Sequence, residues 1–230
     1  MRVAIHQPNY FPWLGYFFKI ISADVFIFLD DVQYSKNSYI NRVQIKKGSG
    51  NRWLTIPVSF HLGERINGIR PAKPHWVQGH IDLLSNNYRG TDYYGEVMPI
   101  AKEILESTPD GSIAEINGFI VKKVSALLGI DCRFILSSEI DIEDCTGDDR
   151  LVELSRAVAP DALYLSGSGG AKYQEENKFL EAGLGFEYLD FVHPVYDQGM
   201  ETFIPGRSIL DAFFNQGIEG TRKLFCPASK

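Results

Sequence analysis

Val3-Ala4-Ile5-His6-Gln7-Pro8-Asn9-Tyr10-Phe11-Pro12-Trp13-Leu14-Gly15-Tyr16 is the stretch that decides the fold. A short apolar run starts almost at residue 1, breaks into polar, proline-containing chain, and turns into an aromatic segment with helical spacing. That order reads as a buried strand, Arg2–His6, followed by a helix over Tyr10–Ala23. Pro12 suits the first turn of such a helix, and Phe11, Leu14, Phe18 and Ile21 recur on one face. Asp24–Leu29 is the next β-branched and aromatic run. Strand, helix, strand with short connections predicts a right-handed parallel crossover. His6, Gln7 and Asn9 then sit where a buried strand ends, the position at which α/β folds bind ligands.

Working outward, Val43–Lys47 and Trp53–Val58 flank Gly48-Ser49-Gly50-Asn51 and predict a hairpin. Helical periodicity marks residues 77–86, 97–106 and 112–128. In the last of these, Ser112-Ile113-Ala114-Glu115 is a capping box and Gly129 a stop. Strands at Arg133–Ser137, Ala162–Leu165 and Phe186–Phe191 alternate with helices at Asp148–Val158, with Thr146 before it as an N-cap, and at Lys178–Ala182. Ile209–Asn215 closes the chain as a helix. The class predicted is α/β, a mainly parallel sheet covered by helices on both faces, with a β-hairpin and a helical insertion at about 77–128 in one domain spanning 1–230.

Composition narrows the function. The 230 residues are 44% apolar with a net charge of −6, and no long basic run invites nucleic acid. No apolar stretch reaches membrane-spanning length and no signal peptide opens the chain, which reads as cytoplasmic. Cys132, Cys145 and Cys226 are widely spaced, so neither a disulfide framework nor a zinc site is expected.

Four clusters hold chemistry. The first is His6-Gln7-Pro8-Asn9-Tyr10, an imidazole with amides able to orient a carbonyl or hydroxyl; the structural alternative is a core histidine beside helix caps. The second is Asp30-Asp31 with Lys36, Asn41 and Arg42 following, where carboxylates can hold Mg²⁺ or polarise an amine and the cations can neutralise phosphate. A solvated charged loop is its alternative. The third, Ser166-Gly167-Ser168-Gly169-Gly170-Ala171-Lys172-Tyr173, follows an apolar strand. Its glycines permit positive φ and close backbone approach to an anion, with Lys172 supplying charge, although it matches neither a P-loop nor a dinucleotide fingerprint. The fourth, His193-Pro194-Val195-Tyr196-Asp197-Gln198 with Phe203-Ile204-Pro205 and then Ser208-Ile209-Leu210-Asp211-Ala212-Phe213-Phe214-Asn215, is an aromatic and amide-rich loop suited to stacking a base or sugar, or to packing over the sheet edge.

Together these segments resemble the WbqC-like family, associated with bacterial surface-polysaccharide (O-antigen) gene clusters. The resemblance rests on residues 6–16, Asp30-Asp31-Val32-Gln33-Tyr34, Asn41-Arg42, Tyr164-Leu165-Ser166-Gly167 to Tyr173, and Ile209-Leu210-Asp211 to Asn215-Gln216-Gly217. A more distant likeness is to the HxGH nucleotidylyltransferase and pantothenate-synthetase-like fold, in which ATP sits over the first strand's end. Here Trp13 and Tyr16 occupy the places of its two histidines. The expected function is acyl or aminoacyl transfer to the amine of a nucleotide-linked amino sugar in lipopolysaccharide precursor synthesis. His6, Asp30 and Lys36 are the catalytic candidates. Gln7, Asn9, Tyr10, Asp31, Asn41, Arg42, Ser166, Gly167, Gly169, Gly170, Lys172, Tyr173, Tyr196 and Gln198 are the substrate-binding candidates. An activated acyl donor, brought by an acyl carrier or another pathway enzyme, would make ATP unnecessary. The alternatives are Mg-ATP-dependent nucleotidyl or adenylyl transfer and a non-catalytic sugar-nucleotide-binding scaffold.

Overall fold

The computed structural model describes residues 1–167, 169–170 and 174–225. In chain order the elements are β1 (Arg2–His6), α1 (Leu14–Ile21), β2 (Val25–Phe28), β3 (Arg42–Lys47), β4 (Gly50–Thr55), α2 (Trp76–Tyr88), α3 (Tyr94–Glu106), α4 (Ile113–Leu128), β5 (Arg133–Leu136), α5 (Gly147–Val158), β6 (Leu163–Gly167), α6 (Glu176–Glu181), β7 (Gly185–Leu189) and α7 (Ile209–Lys223). The class read from sequence is observed: a five-stranded parallel sheet, a two-stranded antiparallel hairpin and seven α-helices among the described residues. The chain groups into two compact units, each assembled from separate segments.

Unit 1 comprises residues 1–7, 15–31 and 130–192. Its strands lie in the order β5-β2-β1-β6-β7, all parallel. Alternation along β1 and β2 divides the apolar side chains between two faces. Val3, Ile5, Val25 and Ile27 pack with Val152 and Leu154 of α5 and Phe179 of α6. Phe26 meets the Tyr16 ring of α1 at 5.4 Å, so α1 covers the opposite face. All four residues of β2 are buried, as expected of a strand enclosed on both sides. From β1 the chain steps outward through β2 to β5, then returns to lay β6 and β7 on the other side of β1. The order therefore reverses between β1 and β6, the point outside whose strands' carboxyl ends α/β sheets bind ligands.

Helix α1 is shorter than its spacing predicts. Phe11 adopts φ 37°, the Phe11 carbonyl accepts from the Ser208 hydroxyl at 2.8 Å, and the Pro12 carbonyl accepts from the Ile209 N–H at 2.9 Å. With those acceptors committed elsewhere, residues 10–13 cannot begin a helix, and winding starts at Leu14. The buried stripe is rotated as well: Tyr16, Phe17, Lys19 and Ile20 face inward, whereas Ile21 is 45% exposed.

Unit 2 comprises residues 8–14, 32–129 and 193–230. Strands β3 and β4 pair with Lys47 opposite Gly50, leaving Gly48 and Ser49 as the turn, and Gly48 takes φ 55°. The capping box of α4 forms as read: the Ser112 hydroxyl accepts from the Glu115 N–H at 3.3 Å, and the Glu115 carboxylate accepts from the Ser112 N–H at 2.7 Å. Thr146 stands at the N-cap of α5 in unit 1 without a side-chain bond to the helix. Helix α7 runs on to Lys223 through a kink at Gly217 (φ 68°), where a Cβ would lie 2.6 Å from the Tyr93 ring.

Candidate active site

Three of the chosen segments in unit 1 meet at the carboxyl edge of adjacent strands. His6 ends β1, Asp30 follows β2, and Ser166 and Gly167 end β6, in the spatial order β2-β1-β6. His6 and Gln7 are half-buried. The Gln7 carbonyl accepts from His6 Nδ1–H and from the Tyr16 hydroxyl, both at 3.0 Å, and the Tyr16 ring stands edge-on to the imidazole at 4.9 Å. A carbonyl can only accept, so this bond fixes the proton on Nδ1 and puts the imidazole's lone pair on Nε2. Burial, reinforced by the charge of Lys19, lowers the His6 pKa to about 4, so the ring is neutral at pH 7.

Lys19 escaped the sequence reading, since a lysine near the end of an amphipathic helix reads as a solvated charge. It is 8% exposed, its Nζ donates to the Ile5 carbonyl at 2.8 Å, and it lies 5.7 Å from the centre of the Tyr164 ring. Burial alone brings its pKa down to about 7.

The glycine segment after β6 uses its glycines for space, not for unusual backbone angles. None of Gly167, Gly169 and Gly170 has positive φ, contrary to the freedom anticipated for them. A Cβ on Gly170 would fall 2.3 Å from both Ser166 Oγ and Gln174 Oε1. The Ser166 hydroxyl donates to Gln174 Oε1, and the Gln174 amide donates to the Tyr164 hydroxyl at 3.0 Å. Gly170 thus lets the turn close over a serine, glutamine and tyrosine relay. Ser168, Lys172 and Tyr173 lie outside the described residues.

Asp30 and Asp31 are held by their own unit. The Asp30 carboxylate accepts from the Ser137 hydroxyl (3.0 Å), the Ser138 N–H (3.0 Å) and the Ser138 hydroxyl (2.7 Å). Asp31 pairs with Arg150 and shares the single Ser137 hydroxyl proton with Asp30. Carboxylates so hydrogen-bonded, with the Asp31 charge answered by Arg150, suit strand anchoring. Among the described residues no three His, Cys, Asp or Glu side chains are grouped to hold a metal ion. Burial pushes the Cys132 thiol up to about 12, which makes it a poor nucleophile. Cys226 is outside the described residues.

The remaining candidates belong to unit 2. Tyr10 is buried and its hydroxyl meets His80 Nδ1 at 2.7 Å, while His80 Nε2 faces the Thr55 carbonyl at 2.9 Å. Asn9 is buried. Asn41 donates to the Ile56 carbonyl at 2.9 Å and accepts from the Tyr34 hydroxyl at 2.8 Å, a structural clasp with its polar atoms spent. Asn117, unread in the sequence, donates to the carbonyls of both Pro8 (2.9 Å) and Ile40 (2.6 Å) and so ties the two chosen loops together. Lys36 is exposed. The Arg42 guanidinium lies 4.1 Å from the Trp53 ring centre, with Tyr39 between Trp53 and Trp13 at 5.7 and 5.2 Å. This aromatic row with a cation on it can stack a planar ring and pair an anion.

Tyr196 and Gln198 are buried side chains turned onto Asp211. They close around Asp211, which accepts from the Tyr88 hydroxyl (2.8 Å), the Tyr196 hydroxyl (2.9 Å), the Gln198 amide (3.1 Å) and Arg207 (3.3 Å). Arg207 and Asp211 are both fully buried, and Arg207 also donates to Asn51 and to the Gly50 carbonyl. The Tyr196 and Gln198 side chains of this loop are thus committed to a core network. A cleft of ≈ 600 Å³ elsewhere in unit 2 is lined by Arg70, Lys73, Trp76, Leu105, Asp110 and others, none of them singled out by the sequence.

Set against known proteins, residues 7–223 match the model of the WbqC-like protein family. The chain belongs to the WbqC-like protein family. Within it, the uncharacterized protein Rv1507c of Mycobacterium tuberculosis (strain ATCC 25618 / H37Rv) is 33% identical over 226 residues, covering 95% of each chain. No solved structure matches. No helix among the described residues of this WbqC-like protein is long and apolar enough to cross a membrane.

Proposed function

We propose that this WbqC-like protein is a transferase of surface-polysaccharide precursor synthesis, moving an acyl or aminoacyl group onto the amine of a nucleotide-linked amino sugar. The observation that carries the reading is the pairing, at the carboxyl end of β1, of an imidazole neutral at pH 7 with a buried amine, beside the strand-order reversal where a glycine turn leaves β6. The sugar's amine attacks the carbonyl carbon of an activated acyl donor, the C–N bond forms, and the donor's leaving group departs with its electron pair. His6 Nε2 takes the proton released by the nitrogen. Asp30, with its oxygens already bonded, anchors the sheet instead of serving as the base. Magnesium-assisted nucleotidyl transfer draws little support, because the carboxylates it would recruit are committed to Ser137, Ser138 and Arg150.

Incubation with a panel of nucleotide-linked amino sugars and activated acyl or aminoacyl donors, followed by product mass, tests the reaction. The expected product is the sugar nucleotide heavier by one acyl group, formed without ATP. Binding of a sugar nucleotide with no product from any donor would make the protein a scaffold.

A further inference from the structure

Lys19 is a cation in the interior of unit 1 that meets no acid among the described residues. Lys19 Nζ lies at the carboxyl end of β1 with the Ile5 carbonyl as its hydrogen-bond acceptor, leaving two N–H donors unspent. The titratable groups beside it are His6 from β1 and Tyr164 from β6, and among the described residues it makes no ion pair with a carboxylate. A buried ammonium costs free energy unless a negative charge answers it. The missing counterion is explained if the negative charge arrives with a ligand bound at the β1/β6 strand-order reversal.

We propose that Lys19 is the cation of an oxyanion-binding subsite in unit 1, receiving a phosphate or carboxylate oxygen of the ligand and taking up one proton as it does so. At pH 8 the free amine is mostly neutral, so binding an anion draws a proton from solvent. Well below pH 7 the ammonium is already formed and no proton is taken up. Apparent affinity therefore falls about tenfold per pH unit above 7. The bound negative charge also offsets the positive charge that depresses His6, making the imidazole a better base only when the subsite is filled. The inference rests on the location proposed for the site, not on acyl transfer, and holds equally for a binder.

Trace acetylation of the whole protein with acetic anhydride between pH 6 and 11, read at each lysine by mass spectrometry, tests it. Sulfate stands in for phosphate and formate for carboxylate, at matched ionic strength. Without either anion, Lys19 should show a reactivity midpoint at about 7, below the ordinary lysine value of about 10.4. The favoured anion should raise that midpoint by at least about one unit and slow labelling at pH 8 about tenfold; which of the two does so identifies the group. Lys19→Met should fold and lose the anion-dependent part of the thermal midpoint. A midpoint near the ordinary value, a midpoint that neither anion moves, no labelling at any pH, or an unchanged anion effect in Lys19→Met would each overturn the subsite. Absence of transfer product with Lys19 responsive removes the acyl-transfer reading alone, and product formation with Lys19 indifferent removes this inference alone.

Discussion

Replacing His6 by Asn is expected to lower single-turnover acyl transfer by about 10²–10⁴-fold, the usual yield of a positioned general base. The Asn amide can still donate to the Gln7 carbonyl, but it has no basic lone pair at neutral pH, so sugar-nucleotide binding should survive. Stability supplies the control, through its dependence on pH. The native His6 pKa of about 4 lies below its ordinary 6.5, so between those values the unfolded chain binds the proton and the native one does not. Stability from this residue is thus complete above pH 6.5 and is lost as pH falls through 4. The loss on acidification is about 3 kcal/mol, and His80 in unit 2 adds a similar acid sensitivity of its own. His6→Asn should flatten the unit 1 share of that slope while leaving stability at pH 7 nearly unchanged. Parental turnover in the variant would remove His6 as the base.

Asp211→Ala is expected to destabilise unit 2 by about 3–5 kcal/mol in denaturant unfolding, because it strands a buried guanidinium and leaves two buried phenols short of an acceptor. Asp211 sits at the convergence of Tyr88, Tyr196, Gln198 and Arg207, and burial raises its pKa despite the neighbouring Arg207 charge. Asp211→Leu combined with Arg207→Met should cost less than the sum of the single changes, since the double variant buries no lone charge. A loss below about 1 kcal/mol in Asp211→Ala would mean that water enters to replace the carboxylate.

The fold was legible where local chemistry and tertiary role coincide. Arg2–His6 is the observed β1 because a buried parallel strand needs a continuous apolar run, and the Ser112–Glu115 cap formed because its partners are three residues apart. Reading failed where distant residues decide. The start of α1 is set by Ser208 and Ile209, nearly two hundred residues along the chain from Phe11 and Pro12. Gly217 breaks α7 just after Asn215, where the sequence reading ends the helix, and the helical segment beyond the break went unread. At the site, His6 and Ser166 could be seen at the ends of apolar strands. Lys19 could not, because its burial is a property of the assembled sheet. Tyr196 and Gln198 looked like ligand groups because their acceptor, Asp211, arrives only with the following helix.

The central claim is that ligand binds at the carboxyl ends of β1 and β6. Amide hydrogen exchange of the whole protein, with and without a nucleotide-linked amino sugar, tests it most directly. The account predicts slowed exchange concentrated in peptides covering residues 5–7 and 166–170, with a weaker effect in Lys19→Met. Ligand binding that leaves both peptides unchanged and protects other segments instead would contradict it.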